Sequence, residues 1–315
     1  MRIMVTGGAG FIGSHLCERL LYRGKHVAIV DDLDSFYDPA LKRANLQEIG
    51  TRGAYEFFEG DIRDTGWLRE VFKSVRPEAV VHLAARAGVR PSLIDPALYV
   101  SVNVDGTVNL LEQSRQHHVK KFVFASSSSV YGHYNCVPFS EDDRIAKPLS
   151  VYAATKAAGE ALCFTYAHLY EMPVICLRVF TAFGPRQRPD LAIRKFAELI
   201  EQGKEIPFFG DGSMARDYTY VSDVVSAFER ALESDFSFAI FNLGNSRPIR
   251  LDYMVEVLER TLCKKAILQH LPVQPGDMQE TYANLDKSRR LLGYEPQVNF
   301  EEGMRLFVDW FRRKK

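Results

Sequence analysis

A tyrosine and a lysine four residues apart, in Tyr152-Ala153-Ala154-Thr155-Lys156, are the pair in this chain best spaced for acid–base work. On a helix, positions i and i+4 share one face, one turn apart. A free phenol titrates near ~10, and a neighbouring ammonium favours the phenolate. The spacing therefore predicts a base able to take a proton near neutral pH. Alone, the pentad fits an ordinary solvated helix equally well. A second polar group stands upstream, where Ser126-Ser127-Ser128-Ser129 follows the apolar Phe122-Val123-Phe124. Alone, such a run fits loop amides being satisfied at a strand end.

A phosphate-binding signal opens the chain. The apolar Ile3-Met4-Val5 runs into Gly7, Gly10, Phe11, Ile12 and Gly13, spaced G-x-x-G-x-x-G, a variant of the dinucleotide fingerprint. Glycine allows the tight turn and a close approach of backbone to pyrophosphate. The helix start then offers free N–H groups to that anion. A helical pattern through Leu16, Leu20 and Leu21 ends near Gly24, and a second apolar run, His26 to Val30, stops at Asp31-Asp32. Asp31 lies about 20 residues past the turn, where an acid binds the ribose hydroxyls of an adenosine and disfavours a 2′-phosphate. The cofactor expected is NAD rather than NADP.

The alternation continues. Tyr55 to Glu59 reads as a strand ending at Gly60-Asp61-Ile62, Asp64 caps the next helix, and Ala79 to Leu83 is a buried strand ending in Ala84-Ala85. Pro96 starts a long helix with Val104, Val108 and Leu111 on its stripe, and Val174 to Leu177 is a further strand before Phe180-Thr181. Strands alternating with helices predict an α/β, Rossmann-type doubly wound parallel sheet. Ligands bind such sheets at the carboxyl ends of strands. The glycine turn, Asp31, Asp61, Leu83-Ala84-Ala85, the serines and Phe180-Thr181 all fall there. Beyond residue 180, prolines and glycines thicken, as in Gly184-Pro185 and Gly210-Asp211-Gly212. The expected division is 1–180 for NAD and 181–315 as a smaller C-terminal α/β substrate-binding part. Helices are expected over 192–202, 221–232, 253–261 and 300–311, with Asp223 and Asp252 near helix starts.

Composition excludes other classes. The 315 residues carry 40 Lys plus Arg against 40 Asp plus Glu, and 46% are hydrophobic. Zero net charge argues against nucleic acid or a membrane surface as partner. Five scattered cysteines suit reduced, buried thiols rather than disulfides or a metal site. With no leader-like or spanning segment, a cytoplasmic protein is expected. His82 reads as a packed strand residue, His117-His118 as a helix end, and Arg312 to Lys315 as a solvated tail. Arg86 and Arg90 read either as surface charges or as groups near a ligand, and Arg216 either as a ligand contact or as a partner of Asp217 or Asp223.

The glycine spacing, the serine run and Tyr152-x-x-x-Lys156 together resemble an extended short-chain dehydrogenase/reductase over nearly the whole chain, including Arg216-Asp217-Tyr218 and Pro275-Gly276-Asp277. Within that superfamily the chain is most similar to nucleotide-sugar 4-epimerases. His82 to Arg90 and Ser126 to Gly132 look like UDP-glucuronate 4-epimerases. The resemblance implies roles. Tyr152 would take the proton of the sugar 4-hydroxyl, Ser127 would bond the same oxygen, and Lys156 would hold the phenolate and the nicotinamide ribose. Asp61 and Ile62 match adenine contacts. Asn103 and Phe180 match residues near the nicotinamide, Thr181 a sugar contact, and Arg216 and Asp277 diphosphate contacts. Arg188 falls in a loop near the substrate. The long helices over 96–117 and 151–170 resemble those that pair in family homodimers.

The reaction implied is oxidation at C4, rotation of the 4-keto sugar, and reduction from the other face, with NAD regenerated. A 4-keto uronate is a β-keto acid prone to lose CO2. Related decarboxylases and dehydratases carry an acid in the segment matched by Ser128 and Ser129. Ser127, Ser128, Ser129 and Thr181 are therefore expected around the sugar carboxylate, as neutral donors. Two departures bear on the substrate. Gln274 stands where some epimerases have arginine, and the small Thr281 stands where neutral-hexose enzymes often carry tyrosine. The alternatives are a UDP-glucose or UDP-N-acetylhexosamine 4-epimerase, a UDP-glucuronate decarboxylase, and a non-catalytic dinucleotide-binding scaffold.

Overall fold

The computed structural model describes residues 1–133, 136–145, 147–273 and 278–313. The chain begins β1 (Arg2–Thr6), α1 (Phe11–Tyr22), β2 (His26–Asp31), α2 (Pro39–Gly50), β3 (Glu56–Glu59), α3 (Thr65–Val75) and β4 (Ala79–His82). It continues with α4 (Pro91–Ile94), α5 (Pro96–Val100), α6 (Gly106–Gln116), β5 (Lys121–Ser127), α7 (Val151–Tyr170), β6 (Val174–Val179) and β7 (Thr181–Phe183). Then come α8 (Ala192–Glu201), β8 (Glu205–Phe209), β9 (Ala215–Tyr220), α9 (Val221–Glu233), β10 (Phe238–Leu243) and β11 (Pro248–Arg250). The last elements are α10 (Leu251–Leu262), β12 (Ile267–Leu271), β13 (Glu280–Thr281), α11 (Asp286–Leu292) and α12 (Phe300–Arg313).

Among the described residues, seven parallel strands form one sheet in the order β10-β6-β5-β4-β1-β2-β3. Apolar side chains on both faces bury it: Ile3, Val5, Val81 and Val123 join one core, and Met4, Val80, Phe122 and Phe124 the other. This is the α/β sheet expected, with one element unforeseen. The edge strand β10 comes from beyond residue 180, after the chain has left to build β7, α8, β8, β9 and α9. β7, β11 and β13 pair with β9 in a smaller sheet, and β8 pairs with β12.

Three buried polar groups tie these layers. Asp217 accepts from the amides of Asn245 (2.6 Å), Ser246 (3.0 Å) and Ala283 (3.0 Å), joining three segments around β9. Asp223 accepts from the Val298 amide at 3.1 Å. His82 bridges Thr6 (2.8 Å) and Thr107 (3.0 Å), and burial and nearby Lys156 hold it neutral, down at about 3. His82 is thus a hydrogen-bonded strand residue.

The helix expected from Pro96 is not continuous. α5 passes through a π turn, Ser101–Asp105, into α6. The wider turn shifts the phase. Asn103, Leu110 and Leu111 face inward, while Val104 and Val108 are only half-buried. Two further readings change. Cys136 and Cys263 are exposed, whereas Cys17, Cys163 and Cys176 are buried. Arg312 and Arg313 end α12, with Arg312 donating to the Leu262 carbonyl (2.9 Å), and Lys314 and Lys315 lie outside the described residues. No described helix is long and apolar enough to cross a membrane.

α7 can lie close to β5 because position 159 is glycine. A Cβ there would sit 2.4 Å from the Phe124 ring. Gly159→Ala is expected to push α7 off the sheet at a cost of about 1–3 kcal/mol, read as a lower thermal midpoint.

Candidate active site

A cleft of about 510 Å³ runs along the carboxyl ends of β1, β2, β4, β5 and β6. Its floor begins at the glycine turn. Gly7 adopts a positive φ of 70° and donates to the Val30 carbonyl at 2.7 Å. A Cβ on Gly7 would lie 2.7 Å from the Ala84 nitrogen, and one on Gly13 only 2.2 Å from the Gly7 oxygen. Gly10 starts α1 without a side-chain cap, so the first amides of α1, at Phe11, Ile12 and Gly13, face the cleft. Uncapped amides, a partial positive charge and glycines that keep the backbone bare suit a pyrophosphate.

Asp31 closes β2 and lines the cleft. It accepts from the Ala9 amide (3.1 Å), the Leu33 amide (2.9 Å) and Lys42 Nζ (3.1 Å). A carboxylate has about four acceptor sites, so one remains for a ribose hydroxyl. Lys42 had no motif to betray it. Asp32 stands beside Asp31 with a more exposed side chain and also lines the cleft. Asp61 and Ile62 line the same end, where Asp61 is gripped by Arg63, which holds its carboxyl below the usual range. Glycine turn, acid and cleft dimensions together fit NAD.

The other end holds the pair that could do chemistry. Ser127 closes β5 and lines this end beside Tyr152, close enough for its hydroxyl to favour the phenolate. It also contacts Ser129, whose amide donates to the same oxygen at 3.2 Å. Ser128, Ser129, Phe180 and Thr181 line this end with Leu83, Ala84 and Ala85. Phe180 is fixed against the rings of Tyr131 and Phe139. Desolvation outweighs the pull of Ser127 and the Arg188 guanidinium and raises the phenol above its ordinary value, against the lowering expected from the Tyr152–Lys156 spacing.

The expected direct action of Lys156 on the phenol is not what the structure shows. Its Nζ donates to the Ala125 carbonyl at 2.7 Å and lies over the Phe124 ring, 5.0 Å from the centroid. Burial holds the ammonium down at about 8. The i, i+4 spacing places both residues on one face of α7, but the lysine reaches down to β5.

Other expected contacts move. Asn103 is buried off the cleft. Its carboxamide bonds both the amide and the carbonyl of Arg86 (2.8 and 2.9 Å) and Thr155 Oγ1 (3.0 Å). It therefore pins the loop after β4 to α7. Arg90 lies outside the cleft lining with its guanidinium 5.0 Å from the Phe209 ring centroid. Arg86 lines the cleft instead, bonded to Asp34 at 2.6 Å. Arg86 and Arg188 both stack on Phe36, at 5.8 and 5.4 Å, and Arg188 pairs with Asp190 at 2.7 Å. Arg216 is outside the lining and donates to the Ala215 carbonyl at 2.8 Å. Thr281 pairs with it across β13 and β9, also away from the lining. Asp277 and Gln274 lie outside the described residues.

Comparison with known proteins agrees with this geometry. The family model described as GDP-mannose 4,6 dehydratase matches residues 4–307. The chain belongs to that family of extended short-chain dehydrogenase/reductases. A protein of Thermodesulfobacterium geofontis named UDP-glucuronate 4-epimerase is 42% identical over 308 residues, 98% of this chain and 95% of that one. A UDP-glucuronic acid 4-epimerase structure from Bacillus cereus, with UDP-glucuronic acid and NAD, superposes at a TM-score of 0.93 with 35% identity over all of both chains. A Thermotoga maritima UDP-glucose 4-epimerase with UDP-glucose gives 0.92 and 35%, covering 100% of this chain and 99% of that one.

The cradle predicts its own weak point. Gly13→Ala is expected to weaken NADH binding by about tenfold or more, followed by fluorescence titration, with the far-ultraviolet circular dichroism unchanged.

Proposed function

We propose that this protein is an NAD-dependent 4-epimerase that interconverts UDP-glucuronate and UDP-galacturonate through a 4-keto intermediate. The observation that carries the reading is Tyr152 and Ser127 standing together at the end of a dinucleotide cleft lined there by Ser128, Ser129, Thr181 and Arg188. NAD, when bound, supplies the acceptor and later the donor of the C4 hydride.

The chain's own residues do the rest. The open amides of α1 hold a pyrophosphate, and Asp31 takes a ribose hydroxyl. Tyr152 receives the 4-hydroxyl proton and later returns it. Ser127 shares that oxygen and orients it. Arg188 offsets the negative charge that develops on the phenol. Lys156, charged in the neutral range, holds the ribose on the nicotinamide side. A β-keto acid loses CO2 only when the bond to the carboxylate stands across the carbonyl plane. Hydroxyl donors from Ser127, Ser128, Ser129 and Thr181 would bond the carboxylate and restrain that rotation.

The UDP-glucose reading keeps a place because a neutral-sugar epimerase superposes almost as well. The hydroxyl-lined pocket beside Arg188 favours the uronate. The division 1–180 for NAD and 181–315 for the nucleotide sugar is proposed with it, although β10 crosses back into the sheet. A homodimer is proposed from exposed apolar residues along α7, Phe164, Leu169 and Tyr170. A cytoplasmic setting is proposed from five cysteines that form no disulfide.

Incubation with UDP-glucuronate, read by proton NMR, is expected to give UDP-galacturonate, with UDP-glucose turned over far more slowly. A UDP-pentose as main product would overturn the reading. Tyr152→Phe is expected to lower kcat by about 10²–10⁴-fold with little change in KM.

A further inference from the structure

The catalytic helix carries a third polar residue on the same stripe. Glu160 follows Lys156 by four positions and Tyr152 by eight, so all three share one face of α7. Glu160 Oε1 accepts from Ser126 Oγ and from Arg178 Nε at 2.9 Å, and its Oε2 accepts from Arg178 Nη2 at 2.8 Å. Arg178 stands opposite Ser126 in the β5–β6 ladder. The two charged side chains are only 2% and 5% exposed. The guanidinium also lies 4.8 Å from the centroid of the Tyr131 ring, and the Tyr131 hydroxyl donates to Asn242 on β10.

Stability is a poor explanation for this pair. Replacing a buried ion pair by apolar residues of similar volume is often neutral or stabilising. Among the described residues, Arg178 Nη1 is buried with no hydrogen-bond partner, which adds to the cost. What the pair does is set a distance. Ser126 precedes Ser127, which lines the cleft with Tyr152, and Lys156, one turn along α7 from Tyr152, bonds the Ala125 carbonyl. Two turns along α7, Glu160 bonds Ser126. The ring closes from β5 through Lys156, down α7, and back through Glu160 to β5. A shift of α7 along the sheet breaks one bond or the other.

We propose that Glu160 and Arg178 are positioning residues for the reaction, a buried clamp that locks α7 in register with β5 and sets a carboxylate one turn along the helix from Lys156. This rests on reading Tyr152 as the base. The charge argument follows from what faces Lys156. From α7 come Tyr152, Glu160 and Cys163; from β4, the neutral His82; from β5, the Ala125 carbonyl and Phe124 ring; from β6, Cys176, and Arg178 already spent on Glu160. Burial lowers the ammonium, and Cys163 and Glu160 raise it in part. Neutralising Glu160 lowers it further, so the ammonium is lost at a lower pH and an activity that needs it fails earlier as pH rises.

Two variants test this. Glu160→Gln keeps an acceptor for Ser126 and removes the charge. The double variant Glu160→Leu/Arg178→Met replaces the pair by apolar bulk. The double variant is expected to keep a thermal midpoint at or near the parent's, to lose kcat by about tenfold or more, and to change KM for UDP-glucuronate by less than about threefold. Glu160→Gln is expected to move the alkaline limb of kcat to lower pH by about half a unit or more, with KM unchanged. A folded double variant with parental kcat, or a Glu160→Gln enzyme with an unmoved alkaline limb, overturns the proposal. If the double variant does not fold, the Glu160→Gln limb decides alone. If the parent turns over no UDP-sugar, the proposed function fails by itself, and the clamp is then judged from NADH fluorescence titrations across pH. Binding that weakens at lower pH in Glu160→Gln than in the parent supports it, and superimposable profiles overturn it.

Discussion

Tyr152 stands beside Ser127 in the cleft because helix α7 lies directly on strand β5. That contact depends on a glycine. Gly159 brings the helix against Phe124, and the same approach lets Lys156 bond the Ala125 carbonyl. Much of the site follows from this packing. The base, the hydroxyl that orients it and the buried cation all belong to one helix–strand pair. The dinucleotide end is built the same way, from close approach. Gly7 and Gly13 leave no room for a side chain between β1, α1 and the loop after β4. Both ends of the cleft thus rely on backbone being bare where elements touch, which a mean propensity scale would count only as weak helix.

The sequence made the frame legible for a physical reason. A parallel sheet buried on both faces writes continuous apolar runs, and strand ends write glycines, acids and serines where ligands bind. Those signals placed Gly7, Gly10, Gly13, Asp31, Asp61 and Ser127 on the cleft. Spacing alone put Tyr152 and Lys156 on one face but could not say where a four-carbon stem ends. Lys156 reached a carbonyl rather than the phenol. Asn103 and Arg90 were misplaced for related reasons. A π turn rotated the first inward onto the Arg86 backbone, and the second found the Phe209 ring from a distant strand. Strand β10 was hidden because its partner β6 lies more than fifty positions earlier, after an excursion that builds the small sheet.

Electrostatics divides the cleft. Zero net charge conceals a strong local pattern. Acids gather at the ribose end, where Asp31 is already paired with Lys42 and Asp61 with Arg63. Arginines gather over the middle, where Arg86 and Arg188 share the ring of Phe36 and each holds its own aspartate. Arginines that are pre-paired can exchange a carboxylate for a phosphate or a sugar carboxylate at small net cost, because the desolvation is already met. A cleft of this kind admits a doubly anionic ligand without holding an unpaired cation when empty.

The choice of serine beside the base has a consequence for selectivity. An acid next to Ser127 would repel a uronate and could donate a proton to a departing group or an enolate. Hydroxyls do neither. Ser127 donates to the Ser129 hydroxyl and receives the Ser129 amide, so its orientation is set before any sugar arrives. Desolvation outweighs the pull of Ser127 and Arg188 and holds the phenol above its ordinary value, so its phenolate is a strong base. A base of that strength beside neutral donors suits a proton that must leave and return to one atom. Elimination needs a second proton-transfer group aimed elsewhere on the ring, and decarboxylation needs a carboxylate free to turn. Among the described residues, the lining at this end of the cleft offers hydroxyls and no second acid aimed at the sugar.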